Sequence, residues 1–177
     1  MSTNLPAPLE LGPMPVGLRM TTVDERIVRA PLARIFALAS DVERWPALLP
    51  HYRYVRFLER RRDGGGVVDM SAVRPFGVVV WPTWWRSSMR VHGGGGTESP
   101  TIRFTHVGGV TRGMEVEWSF REVVNGTHVR ILHVWDGPAI PIVGSAAARL
   151  VIGPVFVHGI ASRTLLGLAT AAERVAS

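Results

Sequence analysis

From residue 67 to residue 135 apolar and polar side chains alternate in short runs, the period of strands that bury one face. The runs 67–73, 78–91, 101–107, 113–123 and 127–135 carry β-branched and aromatic residues between glycine-rich breaks, and they predict five strands. Asn125-Gly126 predicts a tight hairpin between the last two. Each run follows its neighbour closely, which favours an antiparallel meander over crossover helices. Ahead of them, residues 23–28 predict a first strand, and another begins near Tyr52. Between these two, Ile35, Phe36 and Leu38 form a short helical pattern after Ala30-Pro31, where proline suits the first turn. Asp41 can cap a second short helical piece, which Pro46 stops or kinks. The period changes again near the end: Pro154 can open a helix in which Val155, Ile160, Leu165, Leu168 and Val175 recur. Residues 1–17, with four prolines, read as a flexible tail, which leaves 18–177 as one α+β domain.

Alternation also sorts the strand residues by face. Met114, Val116, Trp118 and Phe120 share the face that must point inward, opposite Glu115, Glu117, Ser119 and Arg121. The inward set of the next run is Val129, Ile131, His133 and Trp135, which puts a histidine among apolar neighbours. Ile102, Phe104 and His106 share a face, as do Trp81, Thr83, Trp85, Ser87 and Met89. An interior of Trp, Met and Phe with two histidines is compatible with an ordinary core, and equally with an apolar pocket holding a few polar groups.

Composition narrows the chemistry. The 177 residues contain no cysteine, so thiol nucleophiles, thiolate metal sites and disulfides are excluded. All 20 basic residues are arginine, which removes lysine Schiff-base chemistry. The net charge of +6 invites a nucleic-acid reading. Yet Arg53, Arg56, Arg60, Arg61 and Arg62 lack the interleaved aromatics of a single-strand platform and read as a solvated strand face, so no nucleic-acid partner is expected. The apolar stretch 137–168 is interrupted by Arg149, Pro154, His158 and Arg163, too soon for a membrane span, and a cytoplasmic location is the default. His92 and the four glycines after it lack a G-x-S-x-G elbow elsewhere and read as a loop. His128 and His133 fall on opposite faces, which argues against a shared metal, and Glu115 and Glu117 face outward, which argues against a paired-carboxylate hydrolase.

The segment 30–59 carries the pattern APxxxxFxLxSDVExWPxLxPxYxxVxxLE. It resembles the opening of the START-like superfamily, which includes coenzyme-Q-binding proteins and polyketide aromatase/cyclases. The resemblance implies a helix-grip fold: a curved antiparallel sheet of about seven strands around a long C-terminal helix, two short helices after the first strand, and a cavity between sheet and helix. It also implies a hydrophobic small-molecule ligand, polyketide-like, lipid or quinone, with no cofactor. Residue by residue, Trp45 and Tyr52 match cavity positions of the aromatase/cyclases, and Thr83-Trp84-Trp85-Arg86-Ser87 resembles their W-x-W-x-S segment. Their catalytic arginine lands on Met89, with Arg90 one residue away and Arg86 nearby. His106 falls where some members have a second cavity arginine, His133 where some have a histidine or glutamine, and Thr164 near a helical aspartate of others.

Two readings follow from the resemblance. In the cyclase/dehydratase reading His133, Tyr52, His106 and Arg86 carry proton transfer and oxyanion stabilisation, while Trp45, Trp85, Met89, Phe104, Met114, Trp118, Ile131, Trp135 and His158 line the ligand site. In the carrier reading the same lining holds a lipid or quinone without turnover, and the arginine cluster offers an approach to anionic headgroups. Exposed strand edges leave a homodimer open.

Overall fold

The computed structural model describes Met14 and residues 20–76, 79–95, 98–137 and 157–174. Seven strands form one antiparallel sheet: β1 (Met20–Val28), β2 (Tyr52–Arg60), β3 (Gly66–Phe76), β4 (Val79–His92), β5 (Thr101–Gly109), β6 (Glu115–Val123) and β7 (Gly126–Trp135). Their order across the sheet is β1-β7-β6-β5-β4-β3-β2, so the meander from β2 to β7 is closed by β1 pairing with the last strand. Helix α1 (Leu32–Ser40), a 3₁₀ turn (Val42–Arg44) and α2 (Trp45–Leu48) connect β1 to β2, the two edges of the sheet. Helix α3 (His158–Glu173) packs against β1, β3, α1 and α2. This is the helix-grip arrangement expected above.

Sequence pattern explains each layer. On β6, Val116, Trp118 and Phe120 are buried while Glu115, Glu117 and Ser119 are partly exposed. The carboxylate of Glu117 pairs with Arg103, and that of Glu115 accepts a hydrogen bond from Thr105 at 2.9 Å, both on the outer face. On α3 the buried residues Ala161, Thr164, Leu165, Leu168, Ala169 and Ala172 follow the helical repeat, a stripe facing the sheet. Arginines of β2 and of the residue after it are engaged: Arg56 pairs with Asp69 at 3.3 Å, Arg60 with Glu43, and Arg61 donates to Ser88 Oγ at 3.2 Å.

Four local expectations change. The β6–β7 turn is Val124-Asn125, one residue earlier than the Asn-Gly signal. Gly126 instead opens β7 at φ +142°, where an added Cβ would stand 2.0 Å from the Val28 carbonyl oxygen. Asp41 caps nothing with its side chain and approaches Arg44 at 3.9 Å. Pro46 lies in the first turn of α2 rather than at its end, where its missing N–H is harmless. Strand β1 begins three residues before the predicted start, at Met20, because its whole length pairs with β7 as far as Trp135. Apart from Met14, the tail 1–17 lies outside the described residues, as do the positions Pro154, Val155 and Val175 of the last predicted helix.

Candidate functional site

The inward faces of β2 to β7 meet the first turns of α3 across a cavity of about 70 Å³. Each wall comes from a different element. Strand β2 supplies Tyr52 at its first residue, β3 Met70, β4 Trp85, and β5 Phe104 and His106. Strand β6 supplies Val116 and Trp118, β7 Ile131 and His133, α2 Trp45, and the helix side Val157, Ile160, Ala161 and Thr164. The β5–β6 turn adds Thr111 and Met114.

Aromatic contacts set the shape. The Trp45 indole is fixed by its own N–H, which donates to the Leu38 carbonyl at 3.1 Å. Its ring lies 5.2 Å from Tyr52 and 5.7 Å from Trp118, centroid to centroid. Trp85 stands between Tyr52 (6.2 Å) and His106 (6.1 Å), nearly parallel to the imidazole at 17°. Beyond Trp85 the register between β4 and β5 shifts, so that one extra β5 residue, Val107, is left outside the pairing. Gly109 then turns the chain at φ +83°, close against Trp84, and the following turn brings Thr111 back to His106. The Thr111 hydroxyl and His106 Nδ1 are 2.6 Å apart.

The polar groups of the wall are neutral. Burial pushes the His106 imidazole down to about 3, with nearby His133 adding to the effect. Burial likewise holds His133 at about 3, with a further push from His158. The Tyr52 phenol is driven up by burial, so it keeps its proton. Thr164 Oγ1 is shared by Ile160 O (2.8 Å), His51 Nε2 (3.1 Å) and Tyr52 Oη (3.3 Å). A hydroxyl has one proton and two lone pairs, so all three bonds form together when Thr164 donates to Ile160 and accepts from the other two. His51 itself is held at about 4, by burial first and then by Arg163. His133 Nδ1 is buried and has no hydrogen-bond partner.

The structure therefore brings nine of the candidate residues to one cavity: Trp45, Tyr52, Trp85, Phe104, His106, Met114, Trp118, Ile131 and His133. Four lie elsewhere. Arg86 points to the outer face, where it pairs with Asp69 at 2.7 Å and lies over the exposed Trp84 ring. Asp69 is held below the usual carboxylate range by that bond and by Arg56. Met89 is fully buried and does not line the cavity. Trp135 is buried with its N–H donated to the Arg112 carbonyl at 3.0 Å, which turns the indole toward the β5–β6 turn. His158 is exposed and its Nδ1 meets Asp24 Oδ1 at 2.7 Å, joining the start of α3 to β1. Met70, Thr111, Val116, Val157, Ile160, Ala161 and Thr164 were not among the candidates. The inward parity of β3 would have found Met70; nothing in the sequence signals Thr111.

Among the described residues no group of three His, Asp or Glu could hold a metal ion, and no helix is long and apolar enough to cross a membrane. Solved structures share the fold. A protein from Thermus thermophilus is 21% identical, over 89% of this chain and 99% of its own, with a TM-score of 0.69. The Zhui aromatase/cyclase from Streptomyces sp. R1128 is 18% identical, over 89% and 95%, with a TM-score of 0.69. A STAR-related lipid transfer protein from Xanthomonas axonopodis is 13% identical, over 90% of each chain, with a TM-score of 0.62. The family model for polyketide cyclase/dehydrase and lipid transport matches residues 28–153, and the chain belongs to that family.

Proposed function

We propose that this protein binds a largely apolar small molecule between its sheet and α3, as a binding or carrier protein. The observation that carries this reading is the cavity itself, walled by Trp45, Trp85, Phe104 and Trp118 at the junction of sheet and helix. Burial of apolar ligand surface against such walls supplies about 25 cal/mol per Å². The space of about 70 Å³ is small beside the ~300–1,000 Å³ of typical ligand sites. A ligand of that size enters only as the indoles or the first turns of α3 give way. Calorimetric titration with the neutral dye N-phenyl-1-naphthylamine tests the reading. One saturable site is expected in the wild type, lost in Met114→Arg when circular dichroism shows that variant folded. No binding, or binding indifferent to the substitution, refutes it.

One observation favours a second reading, a cyclase/dehydratase acting on a poly-β-ketone. His133 lies on the cavity wall with Nδ1 unpartnered, free to exchange a proton with a bound substrate. With Arg86 on the outer face, such a step would run without that arginine as a charged oxyanion partner. In this reading His133→Gln abolishes turnover while ligand affinity stays within a few-fold of wild type. Turnover by that variant refutes it.

A further inference from the structure

Among the described residues no Asp, Glu or Arg side chain lines the cavity. The titratable groups on its wall are Tyr52 from β2, His106 from β5 and His133 from β7, while α3 contributes Ile160, Ala161 and Thr164. Among the described residues, the charged groups that act on this region lie outside the lining. The Asp24–His158 pair lies between β1 and α3, and Arg163 acts on His51. A carboxylate entering this space would lose its water shell without gaining a counter-ion, a large cost. A ketone, ester or hydroxyl loses far less and can be met by neutral hydrogen-bonding groups. One such group is at hand: His133 lines the wall, and its Nδ1 is buried with no partner, which is itself costly unless a ligand atom supplies one.

We infer that the cavity takes a neutral ligand whose carbonyl or hydroxyl oxygen seats against His133, and that it rejects carboxylates, free fatty acids included. The inference rests on the ligand-binding reading above and narrows it to a chemical class. His133 plays the same part for either oxygen. A protonated Nδ1 donates to a carbonyl, and an unprotonated one accepts from a hydroxyl. Burial holds both imidazoles near 3, so they are neutral from pH 5 to pH 7. The site therefore does not become cationic in mild acid and acquires no attraction for an anion.

The experiment compares three ligands of one shape: 2-acetylnaphthalene, 2-naphthoic acid and 2-ethylnaphthalene, titrated calorimetrically into the full chain at pH 5, 6 and 7. The ketone should bind with the same affinity throughout. If only the uncharged acid enters, its apparent affinity falls about tenfold per pH unit above a carboxyl pKa of about 4, so about 100-fold from pH 5 to pH 7. The ketone should bind up to about tenfold more tightly than the hydrocarbon, the worth of one hydrogen bond. His133→Leu should erase that advantage, so that within this variant the ketone and the hydrocarbon bind with equal affinity. An acid that binds at pH 7 as tightly as the ketone overturns the inference while the ligand-binding reading stands. Loss of that acid binding in Arg149→Gln would assign the charge to the stretch 138–156, where Arg149 is the single charged residue of the sequence. A ketone no tighter than the hydrocarbon removes the His133 anchor. If none of the three binds, the ligand-binding reading itself fails and the inference with it.

Discussion

Lowering the pH from 7 to 5 should destabilise this fold mainly through His106 and His133. Burial holds both imidazoles near 3 in the folded protein, against about 6.5 in an unfolded chain. With the folded value lower, the unfolded chain takes up protons first. Stability is therefore intact above about pH 6.5 and is lost as the pH falls from there toward 3. Each pH unit in that window is worth 1.36 kcal/mol per group, so pH 5 removes about 2 kcal/mol per histidine and about 4 kcal/mol for the pair. Domains of this kind have about 5–15 kcal/mol in total. His51, held at about 4, acts in the same direction, as does Asp69, whose depressed carboxyl loses its stabilising bonds in acid. Asp24 and Glu115, both raised by burial, act oppositely because they take up protons more readily when folded. Urea unfolding of the wild type and of a His106→Gln, His133→Gln double variant, each at pH 7 and pH 5, cancels those other contributions. The wild type should lose about 4 kcal/mol more than the variant over that interval. Equal losses would mean that both imidazoles protonate freely in the folded state, and the account of a dry, neutral wall would be refuted.

Trp118→Ala removes a side chain 4% exposed that contacts both Trp45 and Phe120, and should cost about 3–5 kcal/mol, read as a lowered urea midpoint. At Gly109, φ is +83° and an added Cβ would stand 2.3 Å from the Trp84 carbonyl oxygen. Gly109→Ala should therefore cost at least about 1–3 kcal/mol in the same assay, and a neutral effect would contradict the close approach of the end of β5 to Trp84 of β4. Arg86→Gln should leave affinity for N-phenyl-1-naphthylamine unchanged, because that guanidinium sits on the outer face with Asp69; a tenfold loss would return the arginine to the cavity.

Local periodicity made most of the fold legible. The alternation in β6 and β7 placed Trp118, Ile131 and His133 inward, and the structure has them so, because a strand with one buried face leaves no other register. Closure of the sheet by β1 against β7 has no local signature, because the paired strands are the first and the last in the chain. Site residues were harder for a specific reason. Alternation tells which face a side chain occupies but not whether the space beside it is filled. Met89 and Trp135 are inward and buried, yet neither lines the cavity. Arg86 shows the reverse error. Parity with Trp85 already placed it outward, and the motif comparison proposed it for the site against that constraint. His158 was unreadable, since its partner Asp24 lies near the other end of the chain. Thr111 escaped because turns carry no periodicity.

The central claim is that an apolar ligand occupies the space between the sheet and α3. Methyl NMR of protein labelled at its methionines tests it most directly, because these residues sample different depths. Met70 and Met114 line the cavity, whereas Met89 is as deeply buried but does not line it. Titration with 2-acetylnaphthalene should shift the Met70 and Met114 methyl signals in step, saturating together, and move Met89 little. Shifts confined to other methionines, or equal shifts at Met89, would place the ligand elsewhere and contradict the account.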